Sequence, residues 1–295
     1  MQKIIDAHFH IWRQKDQPWL MGPMVPRIFG PYEPIRRDYP IGEFLEDQRG
    51  SGVEKAIYVQ TNWAKEDFEK EVAWLQQTAD ETDWPHAIVG YADMTVDDVR
   101  PQLDRLKRYP LLRGVRMQLH WHENTQFRFA PSPDQVIDPK VRANVARLKD
   151  YGLSFDLQLF PSQMRDGAIL VGENLETDFI LTHAGMLTDL TPKTVEAWQA
   201  GLREMAHLTN FYAKLSGLGT FVHRNDPTLI DLIVAEAVDI LGSDRLMFGS
   251  NFPIEKLWTD HASLVAAHRK AVARHGAEVE ANVLWKTADR VYRPA

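Results

Sequence analysis

The spacing of apolar positions changes repeatedly along the chain, from stretches typical of helices to stretches typical of strands. A stretch such as residues 65–83 has apolar side chains at helical spacing, whereas the run at residues 87–93 that follows it predicts a buried strand. The same pairing recurs to the end of the chain. It predicts strands at residues 4–12, 55–61, 87–93, 114–119, 153–159, 179–183, 211–216 and 245–250. Predicted helices lie at residues 41–50, 65–83, 97–109, 139–151, after Pro161, 192–208, 227–241, 260–275 and 278–290.

Eight short strands that alternate with helices within 295 residues are typical of a (β/α)8 TIM barrel. A doubly wound open sheet is the rival, but no Gly-x-Gly-x-x-Gly follows the first strand. Residues 12–40 are rich in Pro, Gly, Trp and Arg and predict a long loop after the first strand. Loops of this length in a compact domain are commonly lids or binding loops.

The composition, 44% hydrophobic and 25% charged, is typical of a globular protein, and we expect a single barrel domain over residues 1–295 because no linker-like run divides the chain. The net charge of -7 without a basic block argues against binding to nucleic acid or an anionic membrane. The absence of cysteine excludes disulfides and thiolate metal sites. Neither a signal peptide nor a membrane span is expected, so the chain is predicted to be cytoplasmic, with a small-molecule substrate and possible homo-oligomers as partners.

The first predicted strand contains two histidines two residues apart. Alternation along a strand predicts that Asp6, His8 and His10 share one face. Neutral imidazole is a common metal ligand and a general base, so the pair could hold a divalent cation or orient a water molecule. A half-exposed strand would explain the same pattern.

In a (β/α)8 barrel the catalytic groups lie at the carboxyl ends of the strands, and polar residues occur at those positions in all eight predicted strands. Some of them, such as Gln60 and Ser216, also fit a purely structural role. The functional interpretation is best supported for His8, His10 and His183. His120 extends the site or lies in a Pro-rich loop. The full set is His8, His10, Gln60, Asn62, Asp93, Arg116, Gln118, His120, His122, Asp156, Gln158, His183, Lys214, Ser216 and Asn251.

Five segments that contain several of these residues are spread over essentially the whole chain. They resemble signature segments of the amidohydrolase superfamily. The resemblance is greatest to the branch that contains the lactonases for 2-pyrone-4,6-dicarboxylate and L-fuconolactone. It implies a barrel hydrolase that opens a lactone with His8, His10, His183 and the residue after the eighth strand. The segments are Asp6–Trp12, Gly114–Arg116, Thr182–Gly185, Lys214–Gly217 and Phe248–Pro253.

The residue after the eighth strand departs from the superfamily pattern. Members commonly have an aspartate there that takes a proton from water, whereas this chain has Asn251. An amide cannot accept that proton and is a poorer ligand for a hard cation. The general base is then His183, Asp156 or His8, and Asn251 would orient water or substrate. Three histidines, His8, His10 and His183, could still bind one divalent metal, Zn²⁺, although members of this branch can work without metal.

These residues suggest a mechanism as a hypothesis. The Arg116 guanidinium, with Arg113 or Lys214, would hold a carboxylated or hydroxyl-rich substrate. The His8 and His10 pair, with or without zinc, would polarise the lactone carbonyl, and His183 or Asp156 would activate water. Further substrate contacts are expected from Trp12 in the long loop, Gln60 and His120.

Three classes of function remain open from the sequence. The first is a hydrolase of a small lactone or related cyclic ester. The second is a metal-dependent nonoxidative decarboxylase of an aromatic or unsaturated acid, which is chemistry that also occurs in the superfamily. The third is a catalytically weak barrel that only binds a ligand, which Asn251 would allow.

Overall fold

Eight parallel strands, each hydrogen-bonded to the next in chain order, form the sheet of the computed structural model, which describes residues 3–295. The circle is closed by loop backbone after the last strand, where the Asn251 N–H donates to the His8 carbonyl at 2.7 Å. The predicted (β/α)8 barrel is confirmed. The strands are β1 Ile4–Phe9, β2 Val53–Val59, β3 Ala87–Gly90, β4 Leu112–Arg116, β5 Ser154–Leu157, β6 Phe179–Leu181, β7 Phe211–Leu215 and β8 Leu246–Phe248.

Helices surround the barrel and begin where the sequence supplies capping residues. Thr191 and Asp226 each accept a hydrogen bond from a first-turn N–H, and each is followed by a proline whose fixed φ suits the first helical position. The helices are α1 Pro18–Met21, α2 Ile41–Asp47, α3 Phe68–Thr82, α4 Arg100–Leu106, α5 Pro139–Val145, α6 Leu148–Tyr151, α7 Met164–Gly172, α8 Pro192–Ala206, α9 Pro227–Leu241, α10 His261–Ala273, α11 Ala277–Ala281 and α12 Thr287–Tyr292.

The strand alternation predicted for β1 is wrong at Asp6. The Asp6 Oδ1 atom accepts the Ser250 N–H at 2.8 Å, and its Oδ2 lies 3.9 Å from Nε2 of His261 on α10. Asp6 is therefore directed at α10, whereas His8 and His10 contact each other. A register shift against β2 between Asp6 and Phe9 interrupts the regular alternation.

The loop after β1 is long, as predicted, but it is not entirely irregular. It contains the short helix α1, and an antiparallel bridge joins Trp12 to Tyr39 and so ties its two ends together. In residues 3–295, no helix is long and apolar enough to cross a membrane. The prediction of one domain over residues 1–295 stays a prediction, and Met1 and Gln2 lie outside the described residues.

Candidate active site

A cavity open to solvent, with about 950 Å³ of space including its mouth, lies at the carboxyl ends of the strands. The polar side chains predicted to meet there largely do so. Those that line the cavity are His10, Gln60, Asn62, Arg116, Gln118, His120, Gln158, His183 and Asn251. Trp12 of the long loop also lines it, with its Nε1–H donated to the Arg37 carbonyl at 2.8 Å.

Three histidine rings lie together, of which His10 and His183 line this cavity and His8 is fully buried behind them. The His8 ring is central, with centroid distances of 5.0 Å to His10 and 4.8 Å to His183. His10 Nδ1 is 2.7 Å from the Val59 carbonyl, which can only accept, so this nitrogen carries the proton. His183 Nδ1 is 3.0 Å from Ser216 Oγ. The Nε2 atom of His183 is therefore the ring nitrogen left for a ligand or a water molecule.

Local backbone strain accompanies this arrangement. His183 has φ 55° and Asn251 has φ 56°, in the left-handed region that residues with a side chain rarely adopt. Gly217 makes room for the histidine, since a Cβ atom on it would lie 2.5 Å from His183 Nδ1. Non-glycine residues held in this conformation cluster at functional sites, and both of these residues line the cavity.

The histidines are held in the neutral form. Burial, followed by the charge of Arg116, lowers the pKa of His183 well below its ordinary value. The same two causes lower the pKa of His10 to about 3, and burial with the charge of Lys214 lowers the pKa of His8. Near pH 7 the rings therefore offer lone pairs rather than positive charge.

Positive charge in the cavity comes from arginine. Arg27, Arg116 and Arg128 line it, and among the lining residues of the described chain there is no Asp or Glu. Arg116 is buried, donates from Nη2 to the Gln60 carbonyl at 2.6 Å, and has an Nε–H without a partner. Burial lowers the Arg116 pKa to about 10, so the group stays charged near pH 7. The cavity suits a ligand with a negative charge.

Aromatic side chains form much of the wall around these polar groups. Trp12, Trp19 and Phe29 come from the loop after β1, Phe127 and Phe129 from the loop after β4, and Phe221 from the segment after β7. Of this set, our sequence analysis assigned a substrate contact to Trp12 alone. Trp19 lies in the short helix α1, and the others occupy irregular segments, where no periodicity indicates which side chains turn toward the barrel.

Two predicted site residues, Asp156 and Lys214, are not at the cavity surface. Lys214 Nζ is 2.5 Å from Asp156 Oδ2, and Tyr292 donates its hydroxyl to Asp156 Oδ1 at 2.5 Å, all three being fully buried. Neither member of the ion pair lines the cavity. Both are buried inside the barrel, where each charge is neutralised by the other. Direct contact of either residue with substrate or water is therefore not supported by the geometry.

The residue that sequence reasoning missed is Glu255, four positions after Asn251. It is fully buried behind the cavity wall, in a turn whose N–H groups at Ile254 and Glu255 bond to the Asn251 carbonyl. The four-residue spacing from Asn251 could have indicated Glu255 in the sequence, because residues four apart on a helical turn face the same side.

The three histidines supply ligand atoms that zinc accepts, but their side chains as placed do not converge on one ion. His8 has two buried ring nitrogens without a hydrogen-bond partner. Yet over residues 3–295 no three His, Cys, Asp or Glu side chains are placed so that they could hold one ion. Asn251, which also lines the cavity, offers a neutral amide rather than a carboxylate to such an ion.

Comparison with known proteins agrees with this architecture. The amidohydrolase family model matches residues 5–293. A Sinorhizobium fredii protein, y4mH, is 32% identical over 98% of both chains. An L-fucono-1,5-lactonase from Burkholderia ambifaria is 25% identical over 98% of this chain and 95% of its own. A Burkholderia multivorans amidohydrolase solved with bound zinc superposes with a TM-score of 0.81 at 26% identity and covers 99% of this chain and 100% of its own.

Metal dependence is typical of the family, and zinc is bound in the crystal structure of the Burkholderia multivorans amidohydrolase. The resemblance seen in the sequence segments is confirmed by a match that spans nearly all of the chain. The protein is thus a hydrolase that belongs to the amidohydrolase family.

Proposed function

We propose that the protein hydrolyses a small lactone that carries a carboxylate, with His183 as the general base. One observation carries the proposal: a neutral histidine with a free Nε2 faces a cavity whose lining, over residues 3–295, includes three arginines and no acidic group. The name of the Burkholderia ambifaria relative, L-fucono-1,5-lactonase, supports lactone opening.

The proposed reaction begins with a water molecule held by His183 Nε2. For Nε2 to accept the water proton, Nδ1 must carry a hydrogen and donate it to Ser216 Oγ. Hydroxide attacks the lactone carbonyl carbon, and the ring C–O bond then breaks. His183 returns the proton to the departing alkoxide, which leaves a hydroxy acid.

The groups that stabilise the developing oxyanion differ from those expected from the sequence, which were His8 and His10. A neutral His10 uses its only N–H on the Val59 carbonyl, so it has none for a substrate carbonyl. The Asn251 amide lines the cavity and can donate. We therefore assign the oxyanion contact to Asn251, and the contact with the substrate carboxylate to the guanidinium group of Arg116, which lines the cavity.

Replacement of Arg116 by Gln is expected to raise KM for a carboxylated lactone by about 10- to 100-fold, since a hydrogen bond to a charged group contributes about 1.5–3 kcal/mol. Steady-state kinetics on a carboxylated lactone and on a neutral sugar lactone measure the effect. The neutral lactone is the internal control and should lose much less.

Arg128→Gln is the matched control variant. Arg128 also lines the cavity, but it donates to the carbonyls of His122 and Glu123 at 3.0 Å and 2.9 Å.

An equal loss on both lactones in Arg116→Gln would remove the carboxylate from the proposal. It would favour a neutral sugar lactone, which the amide side chains Gln60, Asn62, Gln118 and Gln158 in the wall also suit.

The pH dependence follows from the lowered histidine pKa. The acid limb of kcat/KM reports protonation of the base in the free enzyme, and burial places the pKa of His183 well below 6.5. We expect kcat/KM to stay level from pH 7 down through pH 6.5 and to fall only in more acidic solution. A half-maximal rate at pH 6.5 or above would contradict a neutral, buried base.

Zinc at His8, His10 and His183 stays a prediction, and calorimetric titration with ZnCl₂ after chelation tests it. Binding of one equivalent that is lost in His8→Asn would establish the site, whereas no binding would remove it. A small molecule as substrate, the absence of nucleic-acid and membrane partners, homo-oligomers and a cytoplasmic location also stay predictions.

A further inference from the structure

A carboxylate on α3 has no role in the proposed mechanism, although it is fully buried. Glu71 lies on the helix face that also carries Phe68, Val72 and Leu75. Such a face is normally apolar, because a charge taken out of water is costly unless hydrogen-bond donors or an opposite charge surround it. A carboxylate in this position indicates a role besides packing.

The donors around this carboxylate come from the end of β2 and the turn that follows it. Glu71 Oε1 accepts the Tyr58 hydroxyl at 2.8 Å, the Thr61 N–H at 2.8 Å and the Thr61 hydroxyl at 3.1 Å. Burial raises the pKa of Glu71, and these donors, followed by the charge of Arg116, oppose that rise. Three donors on one oxygen favour the ionised form, so Glu71 serves as an acceptor.

A single peptide unit connects Glu71 to the cavity. The N–H of this unit belongs to Thr61 and is donated to Glu71, while its C=O belongs to Gln60 and accepts the Arg116 Nη2–H at 2.6 Å. The N–H and C=O of a trans peptide point in opposite directions, so the peptide dipole lies between a negative and a positive side chain with the favourable orientation toward both. The carboxylate and the guanidinium are thus held on either side of one rigid plane.

Glu71 also balances part of the charge of Arg116. Burial lowers the pKa of Arg116, and the charges of Asp156 and then Glu71 oppose that lowering. Asp156 is paired with Lys214 at 2.5 Å, so their charges cancel, whereas the donors on Glu71 are uncharged groups. Glu71 therefore supplies negative charge to Arg116 across a peptide rather than through an ion pair.

We propose that Glu71 is a positioning residue for substrate binding. Its carboxylate fixes the peptide unit between Gln60 and Thr61, and this unit orients the Arg116 guanidinium toward the substrate carboxylate. Glu71 does not line the cavity, so its effect passes through Arg116 and appears in KM rather than in kcat. This inference rests on the proposed function, because the anion that Arg116 receives is the carboxylate of the lactone.

Two substitutions at Glu71 separate positioning from packing. In Glu71→Gln the amide oxygen can still accept from Tyr58 and Thr61, so we expect KM for a carboxylated lactone to stay within about 3-fold of the parent value. Glu71→Leu suits the apolar face of α3 but accepts no hydrogen bond, and we expect KM to rise by about 5- to 20-fold while kcat changes by less than about 3-fold. A neutral sugar lactone should lose much less in Glu71→Leu. Equal losses on both lactones would overturn the proposal.

Tyr58→Phe is the matched control variant, since it removes one donor from Glu71 and leaves the Thr61 N–H in place. Its KM should stay close to the parent value, and a rise as large as in Glu71→Leu would count against the proposal. If Glu71→Leu does not fold, Glu71→Asp replaces it. Its carboxylate is one methylene shorter and cannot reach the Thr61 N–H from the same backbone position, so KM should again rise, and an unchanged KM would contradict the positioning role.

A double-variant cycle tests whether Glu71 acts through Arg116. If it does, Glu71→Leu adds little to KM once Arg116→Gln has removed the guanidinium, so the double variant should resemble Arg116→Gln. Losses that multiply would mean that the two residues act independently, and the proposal would fail.

A measurement without substrate keeps this inference apart from the proposed function. Nitrogen-15 NMR of arginine-labelled protein detects the Nε–H of the buried Arg116, and its signal is assigned by its absence in Arg116→Gln. This signal should shift in Glu71→Leu and stay in place in Tyr58→Phe. An unmoved signal in Glu71→Leu would overturn the positioning role. If no lactone is hydrolysed but the signal moves, the proposed function fails and the link between Glu71 and Arg116 stands.

Discussion

Replacement of His183 by Asn is expected to lower kcat for lactone hydrolysis by about 10²- to 10⁴-fold, the usual contribution of a general base. Asparagine retains polarity at the cavity wall but cannot accept the water proton. KM should change little, because the predicted carboxylate contact belongs to Arg116. Initial rates from proton release, with the folded state checked by circular dichroism, measure the effect.

Ser216→Ala is the graded control for that variant. Ser216 Oγ is 3.0 Å from His183 Nδ1 and orients the ring without lining the cavity. Loss of such an orienting partner typically costs about 10- to 100-fold, so the rate should fall less than in His183→Asn. If His183→Asn retained the parent rate, the base would have to be sought elsewhere, and His8 would be the next candidate.

Replacement of Lys214 by Met is expected to lower the free energy of unfolding by about 3–5 kcal/mol, because it leaves the Asp156 carboxylate buried without a counter-charge. Both side chains are fully buried, so solvent cannot compensate. Adding Asp156→Asn should recover most of the loss, since a neutral amide needs no counter-ion and its oxygen can still accept the Tyr292 hydroxyl. Urea unfolding at neutral pH measures all three proteins.

Lys140→Met provides the surface control, since Lys140 pairs with Asp97 at 2.6 Å in an exposed position. Its stability should change far less than that of Lys214→Met. A double variant as unstable as Lys214→Met would contradict the interpretation of Asp156 and Lys214 as a mutually neutralising pair. The pair would then require another explanation, such as direct binding of a ligand.

The architecture could be predicted because barrel strands are buried on both faces and helices on one, which leaves two distinct periodicities in the chain. The capped starts of α8 and α9 after Thr191 and Asp226 are visible in the sequence for the same reason. Catalytic groups of a (β/α)8 barrel lie at the carboxyl ends of its strands, and on that basis His183 and Arg116 were expected at one site. Both line the same cavity.

Features that depend on packing could not be predicted in this way. Alternation assigned Asp6 to the histidine face because a register shift leaves no mark in the pattern. The sequence shows that a charged residue lies at a strand end, but not whether its side chain faces the cavity or a residue of opposite charge. Asp156 and Lys214 were therefore assigned to the cavity although they face each other. Glu255 was overlooked because its importance comes from burial beside Asn251, which composition does not reveal.

The most direct test of lactone hydrolysis is proton release by the purified protein near neutral pH over a panel of carboxylated pyrones, muconolactones and sugar lactones. Opening of a lactone produces one carboxylic acid, so we predict one proton per molecule of a carboxylated substrate, with the rate lowered by about 10²- to 10⁴-fold in His183→Asn. Silence over the whole panel, together with release of carbon dioxide from an aromatic or unsaturated acid, would contradict the account.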